Sequence, residues 1–348
     1  MRQFGISLYL GTGYDKNTKI VEKAVQANVK YAFTSLHIPE ESVGDYAAEV
    51  DKLLGLCKNS GLSLIADVGP RTLEKLGYES LRELKRTSIS HLRIDYGFTP
   101  RQIVDLSQDF NVVFNASTLL DSDICELKKL DADFSRLGAC HNFYPKPLTG
   151  LSLKKTRTIN ENLRRMGITT MAFIPGDREL RGPLCMGLPT VEEHRGGDIL
   201  LSTLQLRSDC LTDIVFLGDI DISDGSWSKI RDLSQGYVTL KAEIEPQYGY
   251  IKEQIHHDRP DSSEYVIRSQ ESRTYSSQGR LFPAEELKAR GKGSISVGNE
   301  KYLRYSGELE IARRDLEPES RVNVIGRVVV QDLQYLDYIT DGMGFRFV

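Results

Sequence analysis

The sequence predicts an α/β fold, a (β/α)8 TIM barrel, followed by a small all-β domain. Eight short apolar, β-branched runs occur before residue 220, and each ends at a polar or charged residue. Most gaps between these runs carry a helical pattern, such as TKIVEKAVQA and LKKTRTINENLRRM. A parallel strand needs a crossover helix to return to the same edge of its sheet, so this alternation is typical of a barrel. After residue 234 the helical period fades and short alternating segments follow.

The eight runs define the predicted strands of the barrel. They are GISLY (5–9), YAFTSLH (31–37), LSLIADV (62–68), HLRIDY (91–96), NVVFNAS (111–117), DFSRLGACHN (133–142), ITTMAFIPGD (168–177) and DIVFLGD (213–219). Barrels of this kind place their chemistry at the carboxyl ends of the strands. The polar residues that end the runs are therefore candidates for an active site: Tyr9, His37, Glu40, Glu41, Asp67, Asp95, Asn115, His141, Asn142, Asp177 and Asp219.

The remaining chain predicts an antiparallel β-barrel that is closed or nearly closed. Its predicted strands are YVTLKAEIE, EYVIRSQ, GSISV, YLRYSGELEIA and NVIGRVVV, separated by turn sequences such as PQYG and KARGKG. The segment PAEELKAR (283–290) predicts one helix, with proline at its start. A barrel uses roughly 250 residues, so we expect a TIM-barrel domain at 1–235 and the β-barrel domain at 236–348.

Composition excludes several classes of protein. The net charge of −4 and the absence of a dense basic run give no sign of nucleic-acid binding. No apolar stretch approaches the ~18 residues that a membrane helix needs. MRQFGISLYLG predicts a first strand rather than a signal peptide, and the five cysteines include no CxxC pair. We expect a cytoplasmic protein with neither nucleic acid nor membrane as a partner; the sequence gives no oligomeric state.

Three loops of the predicted barrel carry candidate binding residues. LHIPEES (36–42) places His37 and Glu40 beyond the second strand, although an acid there could equally begin the next helix. The loop CHNFYPKPLTGLS (140–152) supplies His141, Asn142 and Lys146. The loop after the seventh strand is long for a βα connection, which is typical of a lid or substrate wall. Its arginines at 178, 181 and 195 could meet an anion.

The fourth strand ends in RIDYG, which is the sharpest of these patterns. Alternation along a strand places Arg93 and Asp95 on one face. A charged pair that points into a barrel is costly unless it lies near the open end with partners. Either the pair is structural and closes the top of the barrel, or Asp95 is functional, which is the interpretation we favour.

The absence of two kinds of residue from the predicted strands argues against two classes of enzyme. No predicted strand carries a lysine at an inward, C-terminal position, which argues against a Schiff-base aldolase, and the first strand has no HxH pair for a binuclear metallohydrolase. Carboxylates at strand ends remain, and paired carboxylates catalyse glycoside hydrolysis. We expect no cofactor and no metal. Asp67, Asp95 and Asn115 could nevertheless hold a hard metal ion.

The second domain contains a dense charged segment, HHDRPDSSEYVIRSQESR (256–273). Arg259, Arg268 and Arg273 lie among serines, a combination suited to a phosphate or carboxylate. The alternative is a solvated edge strand whose charges prevent aggregation. We favour anion binding.

Several of these motifs together resemble one bacterial family, once labelled outer surface proteins and now associated with 6-phospho-N-acetylmuramidase activity. The motifs are GISLYLG, TSLHIPEE, LRIDYGF, NAST, ACHNFYPKPLTGLS, FIPGD with GLPTVEEHR, and RPDSSEYVIRSQESR. The resemblance spans essentially the whole chain. It implies a glycosidase-type TIM barrel and a cyclophilin-like domain. It also implies a cytoplasmic hydrolase that splits N-acetylmuramic acid 6-phosphate from N-acetylglucosamine in peptidoglycan recycling.

Catalytic roles are assigned by analogy with the fold. In many retaining glycosidase barrels the acid/base follows strand four and the nucleophile follows strand seven, which here indicates Asp95 and Asp177, with Glu40 as a further candidate. Substrate assistance by the N-acetyl group is an alternative. Two other functions stay open, a metal-dependent sugar-phosphate isomerase or epimerase and a non-catalytic carbohydrate-binding protein.

Overall fold

The computed structural model describes residues 3–36, 46–69, 72, 76–94, 98–119, 121–275 and 278–348, without the side chains of Asp121 and Arg273. The chain divides into two compact units, Met1–Ser228 and Lys229–Val348. Each unit contains its own sheets. None of the helices within the described ranges is long and apolar enough to cross a membrane.

The first unit is a parallel barrel. In the described part of the chain, eight strands close in sequence order, and β1 pairs with β8 from Gln3↔Ile214 to Ile6↔Leu217. The predicted (β/α)8 fold is therefore confirmed. The strands are β1 (Gln3–Ser7), β2 (Tyr31–Ser35), β3 (Ser63–Val68), β4 (Ile89–Ile94), β5 (Asn111–Asn115), β6 (Leu137–Cys140), β7 (Thr169–Ile174) and β8 (Ile214–Leu217).

Helices follow most of the barrel strands, and their first residues explain where they begin. Thr99 caps a helix through a capping box with Gln102, and Ser152 and Asp198 cap two later helices with their side-chain oxygens. The helices of this unit are α1 (Tyr14–Gln26), α2 (Tyr46–Asn59), α3 (Pro100–Ser107), α4 (Asp121–Lys129), α5 (Leu153–Arg165), α6 (Ile199–Ser208) and α7 (Asp224–Ser234), the last of which continues into the second unit.

Large apolar side chains fill the barrel. Phe33, Phe173 and Phe216 pack together, with ring centroids 5.2 to 6.2 Å apart. Gly5 makes room for this cluster, because a Cβ there would lie 2.3 Å from Cε1 of Phe216. The interior is therefore a packed core, and polar chemistry is confined to the ends of the strands.

The second unit is all-β, as predicted, and its described strands form two sheets. The larger has the order β10-β15-β13-β14-β12 and the smaller β11-β16-β9. The pair β9–β16 is parallel, whereas the sequence predicted only antiparallel pairs. The strands are β9 (Tyr237–Leu240), β10 (Ala242–Ile244), β11 (His256–His257), β12 (Val266–Arg268), β13 (Ser294–Gly298), β14 (Leu309–Ala312), β15 (Val322–Val328) and β16 (Gly344–Phe347).

The predicted helix over residues 283–290 is wrong, because the segment has no regular secondary structure. Asn323 on β15 holds it instead: its Nδ2 donates to the carbonyl of Pro283 at 2.8 Å, and its Oδ1 accepts from the amide of Glu285 at 3.2 Å. An eight-residue helix is marginal by itself in water. The hydrogen bonds to Asn323 therefore determine the conformation of this segment, and its local preference for a helix does not.

Candidate active site

A buried ion pair lies at the carboxyl ends of β3 and β4. Arg93 Nη1 donates to Asp67 Oδ1 at 3.0 Å, and the two side chains are 6% and 9% exposed. Alternation places Asp67 on the same face as Ile65, which belongs to the interior cluster. A buried ion pair is costly to desolvate, and well-packed apolar residues often stabilise a fold equally well. Its position at the open end of the barrel marks it as a candidate for function.

Arg93 also reaches across the barrel to the loop after β6. Its Nη2 donates to Asn142 Oδ1 at 2.6 Å. Strand β5 separates β4 from β6 in the barrel, so this bond crosses the interior. Ser35 at the end of β2 donates from Oγ to Asp67 Oδ2 at 3.3 Å. We call these four residues, Ser35, Asp67, Arg93 and Asn142, the Arg93 cluster.

The Arg93 cluster combines three kinds of polar group. Asp67 supplies carboxylate oxygens and Arg93 a fixed positive charge. A guanidinium only donates hydrogen bonds, so it fixes the Oδ1 of Asn142 towards itself and turns the Nδ2 donor elsewhere. This set can bind a polar substrate that offers both donors and acceptors.

A cleft opens among the loops that follow β1, β7 and β8. The hydroxyl of Tyr9 donates to the carbonyl of Gly218, and the guanidinium of Arg181 lies 4.0 Å from the centroid of the Tyr9 ring. Lys16 adds a second cation and pairs with Glu179 at 2.5 Å. The cleft has a volume of about 380 Å³ and is lined by Tyr9, Gly11, Thr12, Lys16, Glu179, Arg181, Gly182, Pro183 and Ile220.

Asp219, two residues after the end of β8, holds the long loop that follows β7. Its carboxylate accepts from the amides of Gly176, Arg181 and Leu188 at 2.7, 2.8 and 2.9 Å. The preceding Gly218 permits this approach, because a Cβ there would lie 2.3 Å from the carbonyl oxygen of Leu188. The wall of the cleft is therefore fixed from the last strand of the barrel.

Asn115 and His141 are both buried, but they make different contacts. Asn115 accepts from the amide of Ser117 at 3.0 Å, and alternation places it on the same face as the interior residue Val113. His141 Nε2 bonds Asn160 Oδ1 on α5 at 2.8 Å. The side chain of His141 therefore points from the strand towards a helix, while its neighbour Asn142 joins the Arg93 cluster.

Asp177 is exposed and contacts the start of α7. Its carboxylate accepts from the amide and hydroxyl of Ser223 at 2.6 and 3.0 Å and from the hydroxyl of Ser226 at 2.6 Å. A carboxylate in this position stabilises a helix N-terminus. These contacts indicate a helix-capping role, whereas the sequence predicted a nucleophile.

Arg195 connects the loop after β6 to the loop after β7 through hydrogen bonds. It pairs with Glu192 through two nitrogens, at 2.7 and 2.9 Å, and donates to the carbonyls of Met186, Gly187 and Tyr144 at 2.8 to 3.0 Å. Hydrogen bonds from Arg195 lower the pKa of Glu192 to about 2. The guanidinium that the sequence assigned to substrate thus binds the protein itself.

We expect Arg195→Lys to destabilise the protein by about 2–3 kcal/mol, because a lysine cannot replace the forked contacts and several carbonyls would lose a charged donor. Urea unfolding midpoints measure this. Arg178→Lys is the matched control, since Arg178 lies in the same loop with 52% of its side chain exposed. An equal loss of stability from the two substitutions would contradict the role of Arg195 in connecting the two loops.

Lys146 and Arg178 lie on the surface. Lys146 is exposed, and its carbonyl accepts from the hydroxyl of Thr149 at 2.6 Å. Arg178 Nη1 lies 3.3 Å from Asp224 and 3.8 Å from Asp221. The anion contacts predicted for both residues stay predictions.

The arginines predicted to bind an anion in the second unit have an acidic partner. Arg259 contacts Asp261 through Nε and Nη2 at 2.8 and 3.2 Å, and Arg268 Nη2 lies 3.3 Å from the same carboxylate. The side chain of Arg273 lies outside the described residues. Asp261 thus neutralises part of the positive charge on which the predicted anion site depends.

Four predicted site residues, His37, Glu40, Glu41 and Asp95, lie outside the described residues. Ser35 was not predicted, although its alternation with Phe33 could have placed it on the interior face. Asp67 was predicted as a strand-end candidate for the active site and as a possible metal ligand, without a catalytic role. Within the described ranges, no group of three or more His, Cys, Asp or Glu side chains could hold a metal ion.

Known proteins resemble this chain along its whole length. The model of the N-terminal domain of 6-phospho-N-acetylmuramidases matches residues 4–232, and that of the C-terminal domain matches residues 237–348. A conserved protein of unknown function from Enterococcus faecalis is 32% identical, with a TM-score of 0.79 over 99% of this chain and 96% of its own. An uncharacterized B. cereus protein is 26% identical, with a TM-score of 0.78 over 100% of this chain and 99% of its own. No match was found among curated proteins. The chain belongs to the 6-phospho-N-acetylmuramidase family.

Proposed function

We propose that the protein is a glycoside hydrolase that splits N-acetylmuramic acid 6-phosphate from N-acetylglucosamine. The observation that carries this proposal is the Arg93 cluster, a buried charged network at the open end of a barrel that matches the family. Glycosidases use a pair of carboxyl groups at such a position. The cellular context that we propose, from the resemblance of the sequence motifs, is cytoplasmic peptidoglycan recycling.

We assign the two carboxyl roles to Asp95 and Asp67. Asp95 follows Arg93 by two residues, so strand alternation supports it as the acid that protonates the leaving oxygen. Asp67 is held by Arg93 and Ser35 and supplies negative charge towards the oxocarbenium-like transition state. The Nδ2 donor of Asn142 is suited to a substrate hydroxyl or acetamide oxygen. Asp177 is the weaker candidate, because Ser223 and Ser226 engage its carboxylate.

The cleft beside Tyr9 is the site that we propose for the phosphate. The guanidinium of Arg181 lies over the ring of Tyr9, and Lys16 lines the same cleft. A guanidinium can bind a phosphate with two parallel hydrogen bonds. The net charge of the chain is −4, so affinity for an anion must come from local cations such as these rather than from the overall field.

Mass-spectrometric turnover of the phosphorylated disaccharide beside its unphosphorylated twin tests the proposal. We expect strong preference for the phosphorylated sugar, because the phosphate adds a charged group that the guanidinium of Arg181 can bind. Arg181→Gln should raise KM for this substrate roughly 10- to 100-fold, the value of a charged hydrogen-bond pair. Arg178→Gln, on the same loop, is the control and should change KM little. Equal turnover of both sugars by the wild-type protein would refute the phosphate site, and binding without turnover would favour a carbohydrate-binding protein.

The metal-dependent isomerase is less well supported by the geometry. Arg93 places a positive charge 3.0 Å from the Asp67 oxygen that a metal ion would require. A second cation at that carboxylate would be repelled. Loss of activity with a chelator and its return with Mg²⁺ would restore this alternative.

A further inference from the structure

The second unit contains a small polar pocket that plays no part in the function proposed above. It has a volume of about 190 Å³ and is lined by Arg268, Gly298, Tyr302, Tyr305, Glu308, Glu310 and Val322. The residues come from β12, β13, β14, β15 and the turn before β14. The turn before β14 lies close to the end of β13, and this contact requires a glycine at position 298. A Cβ there would lie 2.6 Å from the carbonyl oxygen of Tyr305.

Glu308 is the unusual residue of this pocket. It is only 8% exposed, and its Oε1 is buried without a hydrogen-bond partner. A buried carboxylate oxygen that accepts nothing is expensive, so such a group normally has a partner in the folded protein or in a ligand. On the opposite strand, Arg268 contacts Asp261 through Nη2, but its Nε is also buried without a partner. The pocket thus offers one acceptor and one donor, and both are unsatisfied.

Two of the residues that line the pocket, Glu308 and Glu310, are carboxylates, which disfavours an anionic ligand. Alternation places Glu308 and Glu310 on the same face of the chain leading into β14. Burial raises the pKa of Glu310; Arg290, paired with it at 3.0 Å, opposes this shift, and Glu308 adds to it. Arg268 is already shared with Asp261. Among the residues that line the pocket, a phosphate or carboxylate would meet two carboxylates and one guanidinium.

The two tyrosines supply an aromatic wall. The rings of Tyr302 and Tyr305 lie 6.5 Å apart at 84°, and Tyr305 is 37% exposed. A tyrosine side chain has an apolar ring face and a polar hydroxyl at its tip. The ring face suits the C–H face of a sugar, and the hydroxyl suits the sugar hydroxyls. A sugar hydroxyl can donate to Glu308 while it or its neighbour accepts from Arg268.

From this arrangement we propose that the second unit carries a binding site for one uncharged sugar ring, held by Glu308, Arg268 and the tyrosine pair. A compact cation such as an ammonium group would satisfy Glu308 but would leave the Arg268 donor unpaired, so it is the poorer fit. The site is independent of the hydrolysis proposed for the barrel, and either can be present without the other.

Calorimetric titration of the full chain with N-acetylglucosamine tests the site. We expect saturable binding that Asp67→Asn leaves intact, since that residue belongs to the barrel. Glu308→Gln and Tyr305→Ala should each weaken the affinity roughly tenfold or more, the effect of losing a charged hydrogen bond or an aromatic face. N-acetylmuramic acid, which carries a carboxylate, should bind to this site more weakly than N-acetylglucosamine.

Thermal unfolding separates a ligand site from a structural role of Glu308. Because Glu308→Gln replaces a buried carboxylate whose Oε1 has no hydrogen-bond partner, the variant should unfold at the same temperature or higher. Glu319→Gln is the control, since Glu319 pairs with Arg321 and does not line the pocket. Absence of saturable binding to the wild-type chain, or binding that survives both pocket substitutions or is lost with Asp67→Asn, would overturn the proposal. Tighter binding of methylammonium than of the sugar would overturn it as well.

Discussion

Asp67→Asn should lower kcat for the phosphorylated disaccharide roughly 10²- to 10³-fold, the usual effect of removing one preorganised charged group from a transition state. The substitution keeps the shape and an oxygen acceptor for Arg93, so the ion-pair geometry at 3.0 Å is largely preserved. Only the negative charge that we assign to the oxocarbenium-like state is removed. Steady-state kinetics well below the unfolding temperature measure the loss.

Asp177→Asn is the matched control, because the sequence predicted Asp177 as the nucleophile and the structure ties it to the start of α7. We expect a small change in kcat and a loss of stability near 1 kcal/mol, typical of a weakened helix cap. An aryl glycoside adds a second comparison. Its leaving group needs little protonation, so it should rescue Asp95→Asn but not Asp67→Asn. A larger loss from Asp177→Asn than from Asp67→Asn would reverse the assignment.

Acidification should destabilise the barrel unit between pH 6.5 and about pH 4, before most carboxylates titrate. Burial lowers the pKa of His91, His141 and His194 to about 4, although hydrogen bonds to Asn160 and Gln205 oppose the shift for His141 and His194. The folded protein keeps these three rings neutral, whereas the unfolded chain binds protons near pH 6.5. Stability is therefore fully present above pH 6.5, falls as the pH falls, and levels off below about pH 4.

The expected slope is up to about 1.4 kcal/mol per pH unit for each histidine. Urea unfolding at intervals between pH 7 and pH 4.5 measures it. His141→Gln should remove about a third of the slope of the barrel unit, because three buried histidines contribute to it. A stability that is flat over this interval in the wild-type protein would rule out neutral buried histidines as its source.

Periodicity was sufficient to predict the barrel but overran the ends of several strands. The predicted first strand ends at Tyr9, whereas β1 ends at Ser7; the predicted sixth begins at 133, whereas β6 begins at Leu137 after a short 3-10 turn. The alternation of inward and outward side chains continues beyond the last hydrogen bond between neighbouring strands. The sequence pattern therefore marks the interior face well and the strand boundary poorly.

The candidate site could be predicted as a set of positions but not as a set of contacts. Strand ends pointed to Asp67 and Asn142 as candidates, and strand alternation placed Arg93 on the same face as Asp95, which lies outside the described residues. The observed partners lie 26 and 49 residues from Arg93, and the barrel register decides that they meet. Arg195 shows the converse, since its charge predicted a ligand but nearby carbonyls satisfy it.

The carboxylate of Asp219 also bears on the order of folding. The three amides that it holds, those of Gly176, Arg181 and Leu188, precede it by 43, 38 and 31 residues. During synthesis the loop after β7 emerges well before β8, so it cannot take its final shape until the last strand has entered the barrel. The cleft beside Tyr9 is thus completed only by the step that closes the sheet, and a barrel that has not closed lacks the site that we propose for the phosphate.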